Sequence, residues 1–129
     1  MRVIVTGGRN YQDRDHVFKV LSTIHNRTPI AVLVHGGATG ADSLADLWAK
    51  ANGVARESHV VTKEDWNRLG RRAGPLRNQK MAELGADLLV PFPGGSGTAD
   101  MIRQAKANGI KVYKEVELDL FGEQDNAGV

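Results

Sequence analysis

The sequence contains no cysteine, which excludes disulfides, a thiol nucleophile and a thiolate metal site. It also lacks an apolar run of the ~20 residues that cross a bilayer. Its opening residues, MRVIVTGG, read as a strand and not as a secretory signal. A cytoplasmic protein without a membrane partner is therefore the expectation. Aromatic residues make up 5% of the chain, few for the stacking surfaces that single-stranded nucleic acid favours. His16, His25, His35 and His59 show no metal-ligand spacing, and no metal or cofactor is expected. There is no Gly-x-x-x-x-Gly-Lys phosphate loop, no complete dinucleotide fingerprint, no Gly-x-Ser-x-Gly elbow and no Ser-His-Asp arrangement.

Charge of one sign is missing from two stretches. No acid lies between Arg68 and Lys80, where Arg68, Arg71, Arg72, Arg77 and Lys80 form a basic run. No base lies beyond Lys114, where Glu115, Glu117, Asp119, Glu123 and Asp125 make an acidic tail. With 17 bases against 10 acids, residues 1–114 carry +7, a balance that favours anionic ligands. The length of 129 residues fits one domain, expected over 1–114, with residues 115–129 as a tail.

What is present is an alternation of strand and helix signals. Apolar runs at 2–6, 30–35, 57–61, 87–92 and 110–113 predict five strands. Between them, Val17, Val20, Leu21 and Ile24 recur on one helical face, with Asp13 or Asp15 as cap. Leu44, Leu47, Trp48 and Ala51 mark a second helix that Gly53 stops. Thr62 and Asp65 have capping-box spacing for a short helix holding Trp66 and Leu69; Trp66 could stack on a base, but at helical spacing with Leu69 it is expected in the core. Gly74-Pro75 is expected to break the chain before a helix whose apolar face holds Arg77, Met81 and Leu84. Met101, Ile102 and Ala105 mark a last helix, ending at Asn108-Gly109. Val116, Leu118 and Leu120 alternate as an edge strand would. The fold class expected is α/β, a Rossmann-like doubly wound parallel sheet with helices on both faces.

Three glycine clusters fall between a strand and a helix: Gly7-Gly8, Gly36-Gly37 and Gly94-Gly95-Ser96-Gly97 with Thr98. Ligands of such sheets sit beyond the strand C-termini, where helix N-termini offer free N–H groups and glycine lets an anion approach. A tight turn explains Gly7-Gly8 alone equally well, whereas Pro93 to Thr98, with several N–H donors and two hydroxyls leading into a helix, favours a ligand; three clusters converging on one edge point to a phosphate. Arg77 is placed to reach that edge, and Arg9 follows the first cluster. His35 suits either a ligand contact or a satisfied structural role. Asp42 suits either a helix cap or a ribose hydroxyl.

The chain resembles the SLOG superfamily and, within it, the small YspA/YpsA-like proteins of bacteria and phages. The resemblance runs from Val3 to about Val112. It rests on Thr6-Gly7-Gly8-Arg9, His35-Gly36-Gly37-Ala38 with Gly40-Ala41-Asp42, Trp66, Ala73-Gly74 with Arg77-Asn78 and Met81, and Pro93 to Thr98. It implies a Rossmann-like fold and a nucleotide or nucleotide-derived ligand. The superfamily includes LONELY GUY phosphoribohydrolases and the DNA-processing protein DprA, and its hydrolases are commonly dimers, which makes a homodimer an expectation. Those hydrolases pair Arg-Lys with Pro-Gly-Gly-x-Gly-Thr-x-x-Glu. Here Arg77 matches, Asn78 replaces the lysine, and Met101 stands at the glutamate. Asp100 is adjacent, but one residue turns a helix by ~100°, which points it elsewhere.

Binding without cleavage, as a sensor or sequestering protein, is the preferred reading. The expected ligand site is Gly7, Gly8, Arg9, His35, Gly36, Gly37, Asp42, Arg77, Asn78, Gly94, Gly95, Ser96, Gly97 and Thr98. N-glycosidic hydrolysis, with Arg77 and Asp100 as catalytic candidates, and DprA-like single-strand binding through the 68–80 run are the alternatives.

Overall fold

The computed structural model describes residues 1–114. The tail and its alternating Val116, Leu118 and Leu120 lie outside the described residues. Five strands, β1 (Arg2–Thr6), β2 (Val32–His35), β3 (Ala55–Ser58), β4 (Leu88–Pro91) and β5 (Lys111–Val112), form one sheet in the order β3-β2-β1-β4-β5. Every pairing is parallel. This is the order of a doubly wound α/β sheet, as the strand–helix alternation predicts.

The strands bury both faces because apolar residues occupy successive positions. On β1, Val3 and Val5 enter one core, and Ile4 enters the other. The first core includes Val17 and Leu21 of α1 (Arg14–Arg27) and Ala45 and Trp48 of α2 (Ala41–Ala51). The second includes Met81 of α4 (Ala73–Leu84) and Met101 and Ala105 of α5 (Ser96–Ala107). Each face of the sheet is thus covered by its own helices. Asp13 caps α1, its carboxylate accepting from the His16 N–H at 3.1 Å.

Several sequence expectations shift. The buried face of α2 is Ala41, Ala45, Trp48 and Ala49, while Leu47 is exposed. Alanines let the helix lie close to the sheet and leave the larger Leu47 outside. Leu84 is likewise exposed, at the last residue of α4 where the helix leaves the core. The third strand begins two residues earlier than its apolar run, as an exposed edge pairing with β2. Gly74-Pro75 does not break the chain. The turn falls at Gly70 (φ 57°), and a 3-10 turn (Gly70–Arg72) runs from α3 (Lys63–Leu69) straight into α4. Pro75 sits in the first turn of α4, where its missing N–H is not needed. The Thr62–Asp65 capping box at the start of α3 is present.

Candidate functional site

The strand order reverses at β1, which has β2 on one side and β4 on the other. Ligands of such sheets bind in the crevice at this point. A cavity of about 600 Å³ lies there. Thr6 to Arg9 after β1 and Gly95 to Thr98 after β4 line it, with Gly74, Pro75, Arg77 and Asn78 of α4 opposite. Ala38, Asp42, Trp66, Arg71, Asp100 and Arg103 complete the wall. Four arginines against two aspartates leave it net cationic.

Backbone groups tie the loops together. The Gly8 N–H donates to the Pro93 carbonyl at 2.8 Å, and the Gly8 carbonyl accepts from Ala41 N–H at 3.1 Å. A side chain at Gly94 would meet the Thr98 hydroxyl and the Gly8 backbone. Its glycine serves close loop packing, and Gly94 does not line the cavity.

The next residues behave differently. Gly95 is the N-cap of α5 and supplies no side-chain cap. The N–H groups of Ser96, Gly97 and Thr98 have no partner among the described residues. These are the unsatisfied donors at the positive end of the helix dipole. A Cβ at Gly95 or Gly97 would meet nothing within 4 Å, and neither residue has positive φ. Gly74 has the same open surroundings inside α4, where glycine costs about 1 kcal/mol relative to alanine. All three line this cavity.

Arg77 reaches the strand ends but is largely engaged by the protein. Its Nη1 donates to the carbonyls of Gly36 (2.7 Å) and His59 (3.2 Å), and its Nε to Asn78 Oδ1 (3.0 Å). Gly36 is glycine because the guanidinium lies where its Cβ would be. Burial pushes the Arg77 pKa down; Asp42 opposes this, and the nearby Arg9 adds to it. An incoming anion would relieve that repulsion.

Asp42 is neither the cap of α2, which is Gly40, nor free. Its carboxylate accepts from the N–H groups of Gly36 (3.1 Å) and Ala38 (3.2 Å), shaping the loop after β2. Burial pushes its carboxyl above the ordinary range, against those two donors and the charge of Arg77. His35 is satisfied within the protein. Its Nδ1 accepts from the Gly37 N–H at 2.9 Å, which makes Nε2 the donor to Asp46 at 2.8 Å. Burial pushes Asp46 up, but the hydrogen bonds from His35 and Arg56 outweigh it and leave its carboxyl below the ordinary range.

Met101 is fully buried in the core, whereas Asp100 lines the cavity. The expectation that Asp100 points elsewhere is therefore corrected. The helix turns Met101 toward the sheet and leaves its neighbour facing the crevice. Asn78, itself buried, donates to Asp100 Oδ2 (3.0 Å) and to the Gly97 carbonyl (3.3 Å). Arg103 donates to Asp100 Oδ1 at 3.3 Å.

Of the expected ligand residues, Gly7, Gly8, Arg9, Asp42, Arg77, Asn78, Gly95, Ser96, Gly97 and Thr98 share this cavity. Gly36 and Gly37 line an adjoining one of about 240 Å³, and His35 faces a third. Trp66, expected in the core, is 40% exposed on the cavity rim. Sequence reasoning missed Gly74 and Arg103 as lining residues. Gly74 carried a signal, a glycine within a helix with no turn to explain it. Of the basic run, only Arg71 and Arg77 line this cavity.

The family profile described as YspA, cpYpsA-related SLOG matches residues 1–68. The chain belongs to this family. The Gene 61 protein of Mycobacterium phage D29 is 43% identical over 118 residues, covering 86% of this chain and 93% of the phage protein. DNA processing protein A (DprA) from Streptococcus pneumoniae superposes with a TM-score of 0.71 at 23% identity, over 86% of this chain. The SLOG chain spans 48% of DprA, about half its length. The structural-genomics target TM1055 superposes with a TM-score of 0.64 at 20% identity, over 87% of this chain and 72% of its own. Both likenesses carry the fold. No described helix is long and apolar enough to cross a membrane.

Proposed function

We propose that the cavity at the β1/β4 crevice binds a nucleotide or nucleotide-derived ligand, as a cytoplasmic sensor or sequestering protein. The ligand phosphate sits on the first turn of α5. The observation that carries this reading is the open N-terminus of that helix. Its N–H groups at Ser96, Gly97 and Thr98 lack partners among the described residues, and Gly97 leaves the approach to them clear. Arg9 and Arg77 add positive charge, and Asp42, whose Oδ2 is held by the Gly36 and Ala38 N–H groups, keeps Oδ1 for a sugar hydroxyl. The volume of about 600 Å³ lies within the roughly 300–1,000 Å³ usual for small-molecule sites.

A second reading, N-glycosidic hydrolysis, is favoured by one observation: the Asp100 carboxylate lies in this cavity, oriented by Asn78 and Arg103. A carboxylate can stabilise an oxocarbenium-like centre or activate water.

A thermal-shift screen with nucleoside monophosphates, cyclic dinucleotides and ADP-ribose derivatives tests both. The expected result is a ligand that raises the melting temperature and is recovered intact by mass spectrometry. Recovery as free base and sugar phosphate selects the hydrolase. No stabilising ligand in the panel contradicts both readings.

A further inference from the structure

We propose that Trp66 is the stacking platform for a planar ring on the ligand, so that the site selects a base-bearing phosphate over a bare sugar phosphate. This rests on the nucleotide reading above and assigns the opposite end of the same ligand.

The chain has two tryptophans, and they have opposite surroundings. Trp48 is fully buried and its indole N–H donates to the Ser22 hydroxyl at 2.9 Å. Trp66 is 40% exposed on α3, a helix that buries none of its residues. The indole therefore contributes little to the core, although a large aromatic side chain is costly to leave in water. Its position is nevertheless fixed from below. The Thr62 hydroxyl accepts from the Asp65 N–H at 3.0 Å, and the Asp65 carboxylate accepts from the Thr62 N–H at 3.4 Å.

Trp66 lines both the main cavity and the adjoining one of about 240 Å³. Arg9, Ala38 and Arg77 are the other residues common to the two. The Arg9 guanidinium lies over the indole face, 5.9 Å from the ring centroid. A planar cation is thus already placed over the surface on which a base would lie. A base entering there takes the guanidinium's place over the indole or stacks on the guanidinium's outer side, and both are favourable partners for a π face. Val60 and Val61 supply an apolar wall on the adjoining side. The phosphate end at α5 offers free backbone N–H groups, while the Trp66 end offers a flat indole and the Val60–Val61 wall, with Arg9 and Arg77 between the two cavities. A nucleotide has that same division.

The test compares two classes of probe on the full chain: the four common nucleoside 5′-monophosphates, and ribose 5-phosphate, which lacks a base. Binding is followed by calorimetry and by tryptophan emission. The tightest monophosphate is expected to quench wild-type emission. The quench is expected to vanish in Trp66→Phe, which keeps an aromatic face and still binds, while Trp48 emits unchanged. Trp66→Ala is expected to weaken that monophosphate about tenfold and to shift ribose 5-phosphate less than twofold. Equal weakening of both probes overturns the stacking role, as does wild-type monophosphate affinity in Trp66→Ala. If neither probe class binds the wild type, the nucleotide reading and the stacking role fall together.

Discussion

After β2, Gly36 packs against the Arg77 guanidinium and the α2 N-terminus is met by the Gly8 carbonyl. After β4, a Cβ at Gly97 would meet nothing among the described residues, where the first N–H groups of α5 are likewise unpaired. Both loops have a Gly-Gly pair between a buried strand and a helix, and both end at the same sheet edge. In the first, glycine makes room for the protein's own atoms. In the second, Gly94 also makes room for protein atoms, but Gly95 and Gly97 leave their surroundings open. A glycine cluster alone does not distinguish packing from access; what a Cβ would touch does.

Substitution can sharpen that contrast. The largest expected effect is at Gly40, the cap of α2, where φ is 75° and a Cβ would run into the Gly8 and Arg9 backbone. Left-handed strain of about 1–2 kcal/mol and overpacking of about 1–3 kcal/mol act together. Gly40→Ala is expected to destabilise the fold by about 3 kcal/mol in urea denaturation. A loss below about 1 kcal/mol would show that the β2 side is not closed by packing.

A smaller effect is expected behind the same loop. Arg2 donates both terminal nitrogens to Glu57 (2.9 and 2.6 Å), and the Glu57 carboxylate also pairs with His59, whose carbonyl accepts from Arg77. The Arg2 hydrogen bonds, then that of His59, lower the Glu57 pKa from 4.5 to about 2. A lowered carboxyl pKa contributes stability above its unfolded value and loses it as pH falls. The loss is therefore expected between pH 4.5 and about 2. Because the pair is partly exposed, Glu57→Gln is expected to cost about 1 kcal/mol at neutral pH and to flatten the acid limb of the stability profile. An unchanged acid limb in denaturation at stepped pH would remove this network from the account.

The parallel sheet was legible because its signal is collective. Full apolar runs alternate with helical periodicity, and the strand bounds fell within a residue or two except at the end of β3. The side chains at the crevice were less legible. Arg77 was placed at the strand ends correctly, but two backbone carbonyls 18 and 41 residues away hold it, and no local pattern encodes them. Trp66 has the spacing of a core residue with Leu69, yet α3 packs so as to bury neither. Asp100 and Met101 were assigned by motif position, whereas the depth of α5 against the sheet decided which one faces the cavity.

The claim that the β4 side is open for an anion is tested most directly by Gly97→Ala, measured for stability and binding in the same preparation. Beyond its chain neighbours and its own stretch of helix backbone, a methyl group there meets no atom of the described residues within 4 Å, and it replaces a helical glycine. Stability is expected to rise by about 0.5–1 kcal/mol, while affinity for the ligand found in the screen falls about tenfold, the order of one lost charged hydrogen bond. Unchanged affinity in a variant that is at least as stable as the wild type would contradict the account.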